Sequence, residues 1–133
     1  MVRTVPASHR DLLDEKTGIF ATIDDAGLPQ LTAVWFLATG DEIRLSFNTT
    51  RRKVANLRSR PECSLLILDP TESLRYLEVR GNAIVEDDTD RAWASRIGAK
   101  YGAGDMSGFD APGDTRVVVT IDPVKIHAVD LTD

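Results

Sequence analysis

The segment NTTRRKVANLRSRP, residues 48–61, is the most informative stretch of the sequence. The whole chain carries a net charge of -5, yet residues 51–60 hold five cations and no carboxylate. An alternating strand, residues 43–47, comes before it, and the turn-forming and helix-capping residues 48–50 begin it. Pro61 ends the short helix that follows. Such a local reversal of charge predicts either an anionic ligand or pairing with surface acids.

The predicted basic helix has an apolar side and a polar side. Val54 and Leu57 are expected to pack inward, whereas Lys53, Asn56 and Arg60 share one face at spacings of three and four. The free N–H groups and positive dipole end of the helix start suit a phosphate. Three interpretations follow: a solvated basic helix, a site for a phosphate-bearing cofactor, or a nucleic-acid patch. Residues 49–61 contain no aromatic side chain on which a base could stack, which disfavours the third.

The composition is that of an ordinary globular domain. With 133 residues, 42% hydrophobic and 28% charged, the chain is expected to form a single domain, residues 1–133. Its acidic balance argues against general nucleic-acid binding. The single cysteine, Cys63, excludes an internal disulfide, and no signal peptide or membrane-length apolar run is evident. We therefore expect a cytoplasmic protein that binds neither membrane nor nucleic acid.

Hydrophobic alternation predicts a mainly β protein. Strand 30–38 is apolar on both faces, which indicates either a central strand or one covered outside by a ligand or a second subunit. A bulge or bend is expected near Gly81. The glycine-rich residues 102–113 are either a mobile lid or a plain loop. The other predicted strands are 19–24, 43–47, 63–68, 74–86, 116–121 and 124–129; the predicted flanking helices are 9–16 and 90–101, the latter capped by Thr89. This pattern predicts a small antiparallel barrel with helical insertions.

The sequence offers no self-sufficient reactive centre. His9 and His127, the two histidines, form no defensible Ser/His/Asp arrangement, and no His/Cys cluster has metal-ligand spacing. A dinucleotide fingerprint and a phosphate-loop motif are both missing. We therefore assign no catalytic residue and no metal. If the protein is an enzyme, a cofactor must supply the chemistry.

Three motifs together resemble a known family. Residues 21–23 with 27–30 resemble the first hairpin of the pyridoxamine-phosphate-oxidase-like flavin-binding split barrels. The pattern Arg51-x-Lys53-x-x-Asn56-Leu57-Arg58-x-x-Pro61 is similar to their cofactor phosphate motif, and residues 78–83 to their glycine-bearing strand. The resemblance runs from about residue 8 to the end of the chain. It implies a six- to seven-stranded antiparallel split β-barrel of the FMN-binding type.

Within that family the chain is most similar to the B group of flavin/deazaflavin oxidoreductases. These are homodimers that bind their cofactor between subunits; many use coenzyme F420, a deazaflavin with a phosphodiester and an oligoglutamate tail, and others FMN, FAD or haem. The resemblance implies an F420-dependent reductase that transfers a hydride to a small electron-poor organic substrate. The alternatives are an FMN-binding member and a non-enzymatic cofactor carrier. The short chain lacks the C-terminal extension with which the oxidases hold their pyridine substrate, which speaks against vitamin B6 oxidation.

The resemblance also implies a set of cofactor-binding residues. Ala33 stands where some relatives have a polar residue, so a hydrogen bond to the ring is expected to be missing. The implied contacts are Gln30, Thr32, Val34 and Trp35 for the ring, Ser46, Asn48, Thr49 and Thr50 for the ribityl chain, Arg51, Lys53 and Asn56 for the phosphate, and Arg58, with Arg60, for the anionic tail.

Overall fold

The chain folds into one seven-stranded antiparallel sheet that curls on itself, as a computed structural model describing residues 4–132 shows. The strands are β1 (Gly18–Ile23), β2 (Pro29–Val34), β3 (Leu37–Thr39), β4 (Glu42–Asn48), β5 (Glu62–Leu68), β6 (Arg75–Asp87) and β7 (Arg116–Asp130). Their order in the sheet is β2-β1-β5-β6-β7-β4-β3. This architecture confirms the predicted antiparallel split barrel.

The helices are short and lie against the sheet. A 3₁₀ helix, Ala7–Asp14, replaces the predicted helix 9–16, and a second one covers Ser107–Phe109. The basic segment forms α1 (Arg52–Ser59), and the later helix is α2 (Ala92–Tyr101). None of the helices within residues 4–132 is long and apolar enough to cross a membrane.

The core lies inside the curled sheet. Alternate side chains of the strands meet there, among them Phe20, Leu45, Leu65 and Val119, each at most 1% exposed. Val54 and Leu57 of α1 join this core at 1% and 2% exposure, as their positions in the sequence predicted. Burying each such side chain contributes about 1.5–3 kcal/mol, so α1 is held by packing rather than by its own helix propensity.

The prediction of one continuous strand over residues 30–38 is wrong, because the strand is interrupted at Trp35 and Phe36. β2 ends at residue 34 and pairs with β1, whereas β3 begins at residue 37 and pairs with β4 at the opposite edge of the sheet. The peptide groups of Phe36 bind α2 instead of a strand: its N–H donates to the Tyr101 hydroxyl (3.0 Å), and its carbonyl accepts from Tyr101 (2.9 Å) and Lys100 (2.9 Å). The two edge strands therefore meet at this corner.

Two other boundaries differ from the sequence prediction. The strands expected at 116–121 and 124–129 form the single strand β7, with Val124 left out of the register as a bulge opposite the predicted irregularity at Gly81. Helix α2 begins at residue 92 because the carboxylate of Asp88, rather than Thr89, accepts the N–H groups of Trp93 (3.1 Å) and Ala94 (2.8 Å).

Candidate functional site

A groove of about 500 Å³ opens between β2, β4, the start of α1, α2 and the segment 102–113. This volume is in the usual range for a small-molecule site. Its cationic end is formed by Arg51 and Lys53, and its apolar part by Val34, Trp35, Phe47, Ile97, Met106 and Phe109. Thr32, Ser46 and Asn48 supply polar side chains to the lining. The groove can therefore hold a ligand with an anionic handle and a flat apolar body.

The cations at this end of the groove pair with none of the carboxylates that the structure describes. Within residues 4–132, neither Arg51 nor Lys53 has a carboxylate oxygen within 4.0 Å. The Lys53 ammonium lies 4.8 Å from the ring centroid of Phe47. Burial, and secondarily the charge of Arg51, lowers the pKa of Lys53. A bound anion would favour the charged ammonium, so this arrangement supports an anion site rather than a salt-bridged surface helix.

The turn before α1 is shaped by Asn48 at the end of β4. Its amide oxygen accepts from the N–H (2.9 Å) and the hydroxyl (2.7 Å) of Thr50. Its amide nitrogen donates to Asp110 (2.9 Å) and Asp114 (2.8 Å). No side chain within the described part of the chain caps the start of α1. Asn48 thus orients the cationic turn, and the helix start remains open to an anion.

Several predicted contact residues lie outside the groove lining. Asn56 is only 5% exposed, and its amide nitrogen donates to Thr22 (3.0 Å) and Gln30 (3.0 Å), which ties α1 to the β1–β2 hairpin. Arg58 points away, with Asp87 at 4.0 Å as its acidic neighbour. The predicted residues absent from the lining are Gln30, Thr49, Thr50, Asn56 and Arg58. Their contact with a cofactor stays a prediction, whereas Thr32, Val34, Trp35, Ser46, Asn48, Arg51 and Lys53 do line the groove.

One wall of the groove was not predicted from the sequence. Ile97 of α2, Met106 and Phe109 of segment 102–113, and Arg116 at the start of β7 line it. The available signal was the presence of two large apolar side chains in a glycine-rich loop. Segment 102–113 is thus a wall of the groove in this structure, with a 3₁₀ turn of its own.

Asp110 fastens this wall to the rest of the protein. Its carboxylate accepts from the Arg116 guanidinium at 2.8 and 2.9 Å, from Arg91 at 2.9 Å and from Asn48 at 2.9 Å, and its side chain is 3% exposed. The hydrogen bonds from Arg116, and then those from Asn48 and Arg91, hold the pKa of Asp110 well below its ordinary value. The wall and the cationic turn therefore share one buried network.

An aromatic cluster completes the apolar part of the groove. Trp35 stacks on Tyr101, with ring centroids 4.3 Å apart and an interplanar angle of 4°. The ring of Phe109 stands at 83° to Trp35, with a centroid distance of 5.7 Å. Burial raises the pKa of Tyr101, whose hydroxyl is occupied by both peptide groups of Phe36. Tyr101 therefore supports Trp35 structurally.

Comparison with known proteins identifies the family. The sequence profile described as "Pyridoxamine 5'-phosphate oxidase" matches residues 5–130. The chain belongs to this family. No curated protein sequence matches it.

Within residues 4–132, no group of three or more His, Cys, Asp or Glu side chains is placed to hold a metal ion.

Solved structures of similar proteins share this fold. A structure named F420 reductase is 30% identical, covering 92% of this chain and 98% of that one, with a TM-score of 0.79. A conserved hypothetical protein of Mycobacterium tuberculosis is 24% identical, covering 98% and 88%, with a TM-score of 0.78. General Stress Protein 26 of Bacillus anthracis is 19% identical, covering 90% and 88%, with a TM-score of 0.68. The latter two support the fold alone.

Proposed function

We propose that this member of the pyridoxamine 5'-phosphate oxidase family is an F420-dependent reductase that passes a hydride to a small electron-poor organic acceptor. The observation that carries the proposal is a pair of cations, Arg51 and Lys53, at one end of a groove with an apolar body, neither of which has a carboxylate partner in the described part of the chain. The 30% identity to a protein named F420 reductase supports the deazaflavin over other cofactors.

The groove residues fit such a cofactor. A guanidinium and an ammonium together suit a phosphodiester, because charge-assisted hydrogen bonds are the strong ones. The hydroxyls of Thr32 and Ser46 suit a hydroxylated chain, and the apolar side chains of Val34 and Trp35 suit a flat ring. The donor set at the cationic end also fits the terminal phosphate of FMN, which is the second candidate.

Each part of the groove has a task in this reaction. When bound, the reduced deazaflavin supplies the hydride. Arg51 and Lys53 bind its anionic handle, and Trp35, fixed by its stack on Tyr101, orients the ring. Ile97 and Met106 exclude water from the reacting face. We assign no proton donor within the protein.

A binding panel tests the proposal. Apo protein is titrated with F420, FMN, FAD and haem, and fluorescence or absorbance reports binding. We expect saturable F420 binding that is tighter than FMN binding, followed by oxidation of reduced F420 when an electron-poor acceptor is added. Protein that binds FMN tightly and F420 weakly would support the second candidate. A folded protein that binds neither would contradict both.

We also propose that two copies associate along the outer face of β2. This edge strand exposes Leu31 at 62%. The strand register places Ala33 beside Ile19, and Ile19 beside Leu66, so that an apolar strip runs across three strands. Ala33 also lines the groove, so the strip is continuous with the site. A second copy covering it would enclose a cofactor between the subunits.

Replacing Leu31 by glutamate is expected to break this dimer. A carboxylate buried in an apolar interface would lose its hydration without gaining a partner. Light scattering after size-exclusion chromatography should give a dimer mass for the wild type and a monomer mass for Leu31→Glu. Ile84→Glu, which is 48% exposed on β6, serves as the matched control and should stay dimeric. A wild-type monomer at micromolar concentration would contradict the proposal.

A further inference from the structure

We infer that segment 102–113 is the acceptor-binding wall of the groove, and that Phe109 selects planar, uncharged substrates by stacking. This inference rests on the proposed function, since it assigns the hydride acceptor to that same groove. Phe109 is 61% exposed although it lines the groove, so a large aromatic surface is offered to a ligand or to water. Burying this surface under a flat ring would be favourable.

Phe109 is held in place by packing and by the hydrogen bonds of its neighbour Asp110. Its ring stands perpendicular to Trp35, and the next residue, Asp110, is bound by Arg116, Arg91 and Asn48. Met106, three residues earlier, is 4% exposed and is packed inward from a left-handed backbone conformation with φ of 65°. The wall is therefore preorganised, which lowers the entropic cost of binding a ligand.

The start of the segment is also fixed, by a close contact with α2. A Cβ atom on Gly98 would lie 1.9 Å from the carbonyl oxygen of Gly104, so only glycine allows this approach. The N–H of Ala103 donates to the Gly98 carbonyl at 2.9 Å. Both ends of the segment are thus anchored, and Phe109 lies between the anchors.

The charge pattern of the groove determines the class of acceptor. Arg116 is the cation of this wall, but it is 7% exposed and is neutralised by Asp110. Arg51 and Lys53, which form no ion pair with residues 4–132, bind the anionic handle of the cofactor in the proposed function. An anionic acceptor therefore finds no counter-charge at the wall, whereas an uncharged planar ring finds an aromatic face. A quinone meets this description: it accepts the hydride, takes one proton from solvent and becomes the hydroquinone, while the deazaflavin is oxidised.

Direct binding of a quinone tests the wall without any turnover. The sequence has two tryptophans, so Trp93→Phe leaves Trp35, which contacts Phe109, as the only fluorophore of this type. Menadione should quench this fluorescence saturably. Phe109→Ala is expected to raise its Kd about 3- to 10-fold, the scale of an aromatic pair, and Phe109→Tyr to restore it. Leu131→Ala, removing an equally exposed side chain (61%) elsewhere, should leave the Kd unchanged.

Steady-state kinetics separates the acceptor wall from the cofactor site. With reduced F420, Phe109→Ala should raise the KM for menadione by the same factor, change the KM for the non-aromatic cyclohexenone little, and leave the Kd of F420 unchanged. A Kd for menadione that is the same in Phe109→Ala and in the parent protein would overturn the inference, as would a loss of F420 affinity in that variant. If the quenching depends on Phe109 but F420 does not bind, the proposed function is contradicted, whereas the binding of a planar quinone by Phe109 is supported.

Discussion

Replacing Asp110 by alanine is expected to lower the free energy of unfolding by about 3–5 kcal/mol, the usual loss when one partner of a buried ion pair is removed. The Asp110 side chain is 3% exposed and Arg116 is 7% exposed, so water cannot replace the lost carboxylate. The guanidinium of Arg116 would then lie in the protein without a counter-charge, and Asn48 would lose one acceptor. Urea unfolding followed by circular dichroism measures the change.

Asp114→Ala is the matched control for this experiment. Asp114 also accepts a hydrogen bond from Asn48 (2.8 Å) and one from the N–H of Ala111 (2.9 Å), but it forms no ion pair with any arginine among residues 4–132. Its removal should therefore cost much less than the removal of Asp110. An Asp110→Ala protein as stable as Asp114→Ala would contradict the buried network that fastens the groove wall.

The same network predicts how stability changes with pH. Hydrogen bonds from Arg116 and Asn48 hold the pKa of Asp110 below its ordinary value of 3.8. The unfolded state therefore takes up the proton first, so the stabilisation by Asp110 is complete above about pH 5 and is lost as the pH falls toward the folded-state pKa. The wild type should lose more stability than Asp110→Ala between about pH 5 and pH 3. Parallel acid profiles of the two proteins would contradict this origin of the effect.

The fold was predictable where local patterns decide it. Alternation marked β4, a short apolar run marked β5, and the inward spacing of Val54 and Leu57 marked the packing face of α1. The break after β2 was not predictable, because the apolar alternation of residues 30–38 continues through it. That break depends on Tyr101 and Lys100, which bind the peptide groups of Phe36 from far along the chain.

Some residues of the candidate site were likewise predictable from local sequence, and others depend on contacts between distant parts of the chain. Arg51 and Lys53 were found because a charge reversal and a helix start are visible in consecutive residues. Asn56 shares the helical spacing of Lys53, but a buried hydrogen bond to Thr22 turns it to the core side of α1. Residues spaced three apart share one face of a helix, but that face is broad, so one of them can lie near the core and the other near the groove. The wall carrying Phe109 depends on the ion pairs of Asp110 with Arg116 and Arg91. The two large apolar side chains of this segment were its sign in the sequence, but they do not indicate which arginines Asp110 binds.

Replacing Lys53 by alanine is expected to weaken F420 binding by about 1.5–3 kcal/mol, a roughly 10- to 150-fold higher Kd. The half-buried ammonium has no carboxylate within 4.0 Å among residues 4–132, so the anion of the cofactor would be its principal counter-charge. In a partly desolvated groove such an interaction is worth more than an exposed ion pair. Fluorescence titration of F420 measures the change.

Arg52→Ala is the control that separates this contact from net charge. Arg52 also opens α1, but it is exposed and does not line the groove. Both variants remove one cation from the same turn, so both lose the same long-range attraction, and only Lys53→Ala loses a groove contact. Because burial disfavours the charged form of Lys53, the apo variant should unfold near the wild-type midpoint, and weaker binding then reports the site rather than the fold. Equal F420 affinities for the two variants would place the anion outside this end of the groove.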